Sequence, residues 1–190
     1  MSEYILRGTW KIGWALDVHT LASYIHFDRI ETKRTIIGEA LFQLKYRDDR
    51  TQVPFLVDEL VKFLETRIVT PYIDVIFPTP SSKIREYQPV YDIASKVAQR
   101  LKKEFDPDFI HKIKNTSELK SLNDPLEREN ILQGAFDVRD SSTYRNKKIL
   151  IIDDLFRSGS TLNEISKTLY SKANVQNVYI VTLTKTRVNK

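Results

Sequence analysis

The chain has 190 residues, with 30 Lys+Arg against 25 Asp+Glu and a formal charge of +5. That length suits one domain able to bury a core without covalent staples. It contains no cysteine, which excludes disulfides, thiolate zinc sites, iron–sulfur clusters and cysteine nucleophiles, and fits a reducing, cytoplasmic setting.

Tyr4 to Leu16 is aromatic and loosely alternating, the pattern of a strand or hairpin. Ile37, Ala40, Leu41 and Leu44 then fall at helical spacing. Val53, Leu56, Val57, Leu60, Val61 and Leu64 mark an amphipathic helix. Ile73 to Phe77 is an apolar run stopped by Pro78, a buried strand. Val90 to Leu101 repeats the helical spacing, with Pro89 suited to its first turn. Phe109 to Ile113 is a weaker strand. Residues 114–134 are polar and aperiodic, as in a long loop with one helical turn. Phe136 to Val138 and Ile149 to Ile152 read as strands, Leu162, Ile165 and Leu169 as a helix, and Val178 to Leu183 as a last strand. This alternation predicts an α/β fold with a mostly parallel sheet, whose ligands belong at the carboxyl ends of the strands.

Residues 1–50 differ in texture from the rest and are expected to form an N-terminal hood or extension of the same globule, over a core of 51–190. No apolar run is long enough to span a membrane, and Met1-Ser2-Glu3-Tyr4 lacks a secretory pattern. The five glycines are Gly8, Gly13, Gly38, Gly134 and Gly159, which give neither GxGxxG nor GxxxxGK[ST]. A dinucleotide fingerprint and a Walker A loop are therefore absent.

The chemistry concentrates in Ile149-Leu150-Ile151-Ile152-Asp153-Asp154-Leu155-Phe156-Arg157-Ser158-Gly159-Ser160-Thr161. A buried strand delivers two adjacent carboxylates, and a hydroxyl-rich turn then opens a helix. Amides at a helix start bind phosphate, and a glycine admits the anion closely. Carboxylates suit sugar hydroxyls or a hard cation such as Mg²⁺. A ligand with a phosphate at one end and vicinal hydroxyls beside it fits both halves. Thr161 and Glu164 also match a capping box, so the hydroxyls have a purely helix-starting explanation as well.

This stretch resembles the 5-phosphoribosyl 1-pyrophosphate (PRPP) motif of type I phosphoribosyltransferases. Phe77-Pro78-Thr79-Pro80-Ser81-Ser82-Lys83-Ile84-Arg85 is similar to the pyrophosphate loop of the competence-associated ComF branch. Asn115 to Leu122, then Arg128-Glu129-Asn130 and Gly134-Ala135-Phe136, are similar to that branch's flexible loop. The resemblance covers roughly residues 73–184. It implies a type I phosphoribosyltransferase-like fold, a mostly parallel sheet flanked by helices, with residues 1–50 as the hood. The four-cysteine zinc module of many relatives is absent.

For the site, the resemblance implies that Asp153 and Asp154 contact the ribose hydroxyls and, largely through PRPP and water, Mg²⁺. Arg157, Ser158, Gly159, Ser160 and Thr161 would hold the 5′-phosphate. Thr79, Ser81 and Ser82 would meet the pyrophosphate, with Lys83, Arg85, Lys114, Lys120 and Arg128 as catalytic cations. Trp14, Asp17 and His19 stand as acceptor-binding candidates, although the two tryptophans, Trp10 and Trp14, suit a core or an interface better. The expected reaction transfers a phosphoribosyl group to a nitrogen nucleophile, a nucleobase or related small molecule, releasing pyrophosphate. The alternative is a non-catalytic PRPP or nucleotide sensor linked to DNA uptake or nucleic-acid metabolism. Nucleic acid and a second copy of the chain stay open as partners, and a membrane is not expected.

Overall fold

The computed structural model describes residues 4–25, 27, 30–81, 86–114 and 131–187. Strands β1 (Tyr4–Leu6), β2 (Ile12–Val18), β3 (Thr20–Ile25) and β4 (Ile30–Arg34) lead into helices α1 (Ile36–Arg47) and α2 (Val53–Glu65). Then come β5 (Val75–Pro78), α3 (Pro89–Leu101), β6 (Glu104–Phe105), β7 (Ile110–Lys112) and β8 (Phe136–Val138). The chain continues with β9 (Lys148–Phe156), a helix numbered α4 (Ser160–Lys172) and β10 (Asn177–Lys185).

The central sheet has six strands in the order β1-β2-β10-β9-β5-β6. Only β1 runs antiparallel to its neighbour; β2, β10, β9, β5 and β6 are mutually parallel. Two antiparallel pairs, β3 with β4 and β7 with β8, lie outside it.

Successive side chains of a strand point to opposite faces, so β9 feeds two layers. Leu150 and Ile152 pack with Trp14, Leu16, Val181 and Leu183 beneath α1, α2 and α3. Ile149 and Ile151 join Val178, Ile180, Phe77, Phe109 and the inner face of α4 on the other side. A parallel sheet covered on both faces requires apolar residues at consecutive positions, which is what the runs at 149–152 and 178–183 supply.

Two sequence expectations are extended by the structure, and one hairpin is not anticipated. The strand read as four apolar residues spans nine, so Asp153 and Asp154 lie within β9 and pair alongside β10. The aromatic N-terminal stretch is a β1–β2 hairpin, and β2 joins the central sheet beside β10. The β3–β4 hairpin has no apolar alternation to announce it, because Leu21, Tyr24 and Ile25 are all exposed. Among the described residues, no helix is long and apolar enough to cross a membrane.

Candidate active site

The carboxyl ends of β5 and β9 and the starts of α3 and α4 enclose a cavity of about 380 Å³. Its lining includes Lys45, Tyr46, Thr79, Ser81, Tyr91, Asp153, Asp154, Arg157 and Thr161. A smaller adjoining recess of about 110 Å³ is formed by Asp153 and the turn from Leu155 to Leu162. The two share Asp153, Leu155, Arg157 and Thr161, so the acids and the turn border adjoining recesses.

Two neighbouring acids on a strand ordinarily point to opposite faces, but at the end of β9 both line the cavity. The Asp154 amide donates to Asp153 Oδ1 at 2.9 Å, and the Thr79 hydroxyl donates to the Ile152 carbonyl at 3.4 Å. The Thr79 amide donates to the Ile152 carbonyl at 3.0 Å, extending the ladder past β5 and holding this corner together. Burial, and then the charge of Asp154, push the Asp153 carboxyl up to about 7. Asp154 instead forms an ion pair with Lys45, from the last turn of α1.

The turn is built for a close approach. Gly159 has φ +78° and is the N-cap of α4, which has no side-chain cap. Its missing Cβ would lie 2.8 Å from the Phe156 ring, so glycine is required on both steric and conformational grounds. The Ser158 and Ser160 hydroxyls lie 2.9 Å apart. The capping box read from Thr161 and Glu164 does not form: Glu164 accepts the Gly134 amide at 2.7 Å instead. The N-cap Gly159 thus supplies no acceptor to the first amides of α4, and the Ser160 amide has only the Ser158 hydroxyl, at 3.5 Å, so the helix's positive end is an anion-binding arrangement.

Behind the turn, the Thr9 amide donates to Asn163 Oδ1 at 2.9 Å and the Thr9 hydroxyl to the Asn163 carbonyl at 3.1 Å. The Trp10 ring meets Phe156 edge-on at 6.2 Å. The N-terminal hairpin therefore braces the cradle from below.

The expected residues are distributed unevenly. Asp153, Asp154, Arg157, Ser158, Gly159, Ser160, Thr161, Thr79 and Ser81 are brought together around the two recesses. Ser82, Lys83, Arg85, Lys120 and Arg128 fall outside the described residues. Lys114 does not line the cavity; its ammonium donates to the Gln133 carbonyl at 2.7 Å.

Trp14 is not brought to the site. It is 5% exposed, packs edge-on against Phe63 at 6.1 Å, and lines a groove at the opposite edge of the sheet. Asp17 lies on β2 in register with Thr184, where its carboxylate accepts the Val18 amide at 2.8 Å. His19 follows β2, with Nδ1 3.2 Å from the Thr184 hydroxyl, which donates to the Asp154 carbonyl at 3.2 Å. Burial, reinforced by Arg34, lowers the His19 pKa, which favours a neutral imidazole. Neither Asp17 nor His19 lines the cavity, although both sit at its edge of the sheet.

Sequence reasoning missed Lys45 and Tyr91. The Tyr91 phenol hydrogen-bonds the Ser81 backbone and so steadies the loop after β5. Pro89 signalled the start of α3 but not which side chain would face the loop. Lys45 meets Asp154 across 109 residues of sequence, and no local pattern announces such a contact.

Competence protein F of Haemophilus influenzae is 28% identical over 157 residues, covering 80% of this chain and 67% of that protein. Among solved structures, adenine phosphoribosyltransferase of Leishmania tarentolae aligns with a TM-score of 0.48 at 10% identity, covering 97% of this chain and 94% of that one. A hypoxanthine phosphoribosyltransferase of Staphylococcus aureus aligns with a TM-score of 0.42 at 18% identity, covering 73% of this chain and 67% of that one. The family model for the phosphoribosyl transferase domain matches residues 91–189. That span takes in α3, β9, α4 and β10, the elements that shape both recesses, and on this match the chain belongs to the phosphoribosyl transferase domain family, as a ComF-like type I member.

Proposed function

We propose that this protein binds PRPP and transfers its phosphoribosyl group to a nitrogen nucleophile, a nucleobase or related small molecule, with release of pyrophosphate. The observation that carries the reading is the adjacency of the two recesses, which share Asp153, Leu155, Arg157 and Thr161: twin carboxylates line one, and the start of α4, whose N-cap is Gly159, lines the other. The 5′-phosphate sits on the amides of the Gly159–Thr161 turn, with Arg157 at its side. Asp153 and Asp154 accept from the ribose hydroxyls. The pyrophosphate lies toward Thr79 and Ser81, with Lys83 and Arg85 further along that loop.

Cleavage at C1 of the ribose builds positive charge on the sugar and negative charge on the leaving group. The protein's contribution is positional and electrostatic. Fixed carboxylates below the ring favour the developing cation, and donors around the pyrophosphate favour its departure. Lys114, Lys120 and Arg128 belong to the segment assigned to closure over the site, which would exclude water.

Asp153 and Asp154, with water and the ligand, would hold Mg²⁺. Asp153 and Asp154 are a pair, and among the described residues no group of three acidic or imidazole ligands is assembled. The chemistry such an ion would supply is neutralisation of leaving-group charge.

The test is calorimetric titration of PRPP with Mg²⁺ into the wild type and an Asp153→Asn/Asp154→Asn double variant, beside a pyrophosphate-release assay over a panel of bases. Loss of the charge-assisted bonds should weaken binding at least tenfold, about 1–3 kcal/mol. Equal affinity in the two proteins rejects the assignment of the acids. A second reading, PRPP sensing without turnover, draws on the likeness to Competence protein F. PRPP binding with no pyrophosphate released from any base would favour it.

A further inference from the structure

Helix α1 lies outside the matched family span, yet its placement over the site is built with care. The Thr35 hydroxyl donates to the Val18 carbonyl at 2.7 Å and accepts the Gly38 amide at 3.0 Å, pinning the first turn to the end of β2. Gly38 sits so near the His19 backbone that a Cβ there would come within 2.2 Å of its carbonyl oxygen. From Gly38 to Lys45 a helix advances about 10 Å. That equals two strand spacings of about 5 Å each, the step from β2 past β10 to β9. The register of α1 therefore delivers Lys45 to Asp154.

The pair is partly buried, with the Lys45 and Asp154 side chains 26% and 14% exposed. α1 does not need it as an anchor, since Ile37, Ala40, Leu41 and Leu44 already bury its inner face. The bonded atom is Asp154 Oδ2, on the carboxylate that the phosphoribosyl reading assigns to the ribose hydroxyls. Two adjacent carboxylates repel a ligand bearing a phosphate and a pyrophosphate unless a cation offsets them. Among the described cavity-lining residues, the cations are Lys45 and Arg157.

We propose that Lys45 is a substrate-positioning cation. It neutralises Asp154 as the phosphorylated sugar approaches, then turns its ammonium to the ligand's phosphate oxygens and leaves Asp154 to the diol. A flexible four-carbon stem with rotatable donors suits that exchange. The proposal rests on the phosphoribosyl reading and extends it to a residue outside the family motif.

The experiment titrates PRPP with Mg²⁺ into the full-length wild type and into Lys45→Met, Lys45→Gln and Lys45→Arg, each checked by thermal melting. Lys45→Met should weaken binding about tenfold or more, the scale of one lost charge-assisted bond. Lys45→Arg should stay within about threefold, since the charge persists. Lys45→Gln separates the roles: it can still hydrogen-bond Asp154, so a structural pin predicts retained affinity, whereas a positioning cation predicts a loss like that of Lys45→Met. Wild type that binds PRPP, with Lys45→Gln and Lys45→Met equally tight or tighter, overturns this assignment alone. Wild type that does not bind PRPP overturns both the phosphoribosyl reading and the role of Lys45.

Discussion

The two edges of the central sheet are made by the same parallel strands, yet they differ in kind. At the carboxyl edge the hollow is lined by Lys45, Thr79, Asp153, Asp154 and Arg157. At the amino edge a groove of about 540 Å³ is lined by Ile12, Trp14, Ile68, Val69, Tyr72 and Tyr179, with Lys11, Arg67 and Lys148 among them. Strand polarity explains the contrast. In each β-α-β unit the helix begins at the carboxyl edge, so the positive helix ends gather there. α3 and α4 both start at the cavity without a side-chain cap, whereas α1, whose first turn only supports, is capped by Thr35. At the amino edge α3 and α4 finish instead, while α1 ends over the cavity, and α3 is closed by Lys102 in a left-handed conformation with its amide turned back to Ala98 and Gln99. At the carboxyl edge Asp154 therefore meets Lys45 in a polar hollow, whereas at the amino edge Trp14 covers the core.

The contrast is broken most severely by Gly159→Val. The new side chain would meet the Phe156 ring at a φ that only glycine adopts readily. The variant should lose about 2–4 kcal/mol of stability and, if the turn is displaced, all measurable PRPP binding. Denaturant melts and titration check it, and a loss under 1 kcal/mol would mean the turn tolerates a different backbone.

Asp153→Asn sharpens the contrast in the opposite direction. Because the folded-state pKa is raised above the unfolded value, ionisation of Asp153 opposes folding. The penalty is absent below the unfolded carboxyl pKa, grows as pH rises between that value and about 7, and is complete above it. The variant should match wild type in stability near pH 4 and exceed it by about 1–2 kcal/mol at pH 8, a discounted figure because the carboxyl faces a solvent-open cavity. It should bind PRPP more weakly throughout. A stability difference that does not vary with pH would remove this account.

At the other edge, Tyr72→Ser should be the quiet control. Tyr72 is 62% exposed and its ring faces the Lys148 ammonium at 5.3 Å. Stability should move by no more than about 0.5 kcal/mol, with PRPP affinity unchanged. A tenfold affinity loss in this variant would show that the two edges are coupled.

Much of the layered fold was legible because its driving force is local. The consecutive apolar residues of β9 and β10 and the helical spacing in α2 and α3 follow directly from burial on two faces and on one. The hairpin β3–β4 was invisible because its side chains face solvent, and β6 because two residues, Glu104 and Phe105, carry no period. At the site, residues 153–161 were readable as a contiguous strand and turn. Trp14 was misplaced because an aromatic on an alternating strand reveals that one face is buried but not which end of the sheet it occupies. Lys45 was missed because its partner is set by helix register over a strand edge, which is a tertiary distance and not a sequence one.

The order of the sheet also constrains how the molecule is assembled. β10 lies between β2 and β9, so the middle of the sheet comes from the last described strand to leave the ribosome. Until it inserts, β2 and β9 have no common neighbour, and a growing chain holds two unsatisfied ladders of amide and carbonyl groups. Such high contact order makes folding slow and leaves sticky edges exposed for longer. The sheet can therefore close only once β10 is in place between β2 and β9.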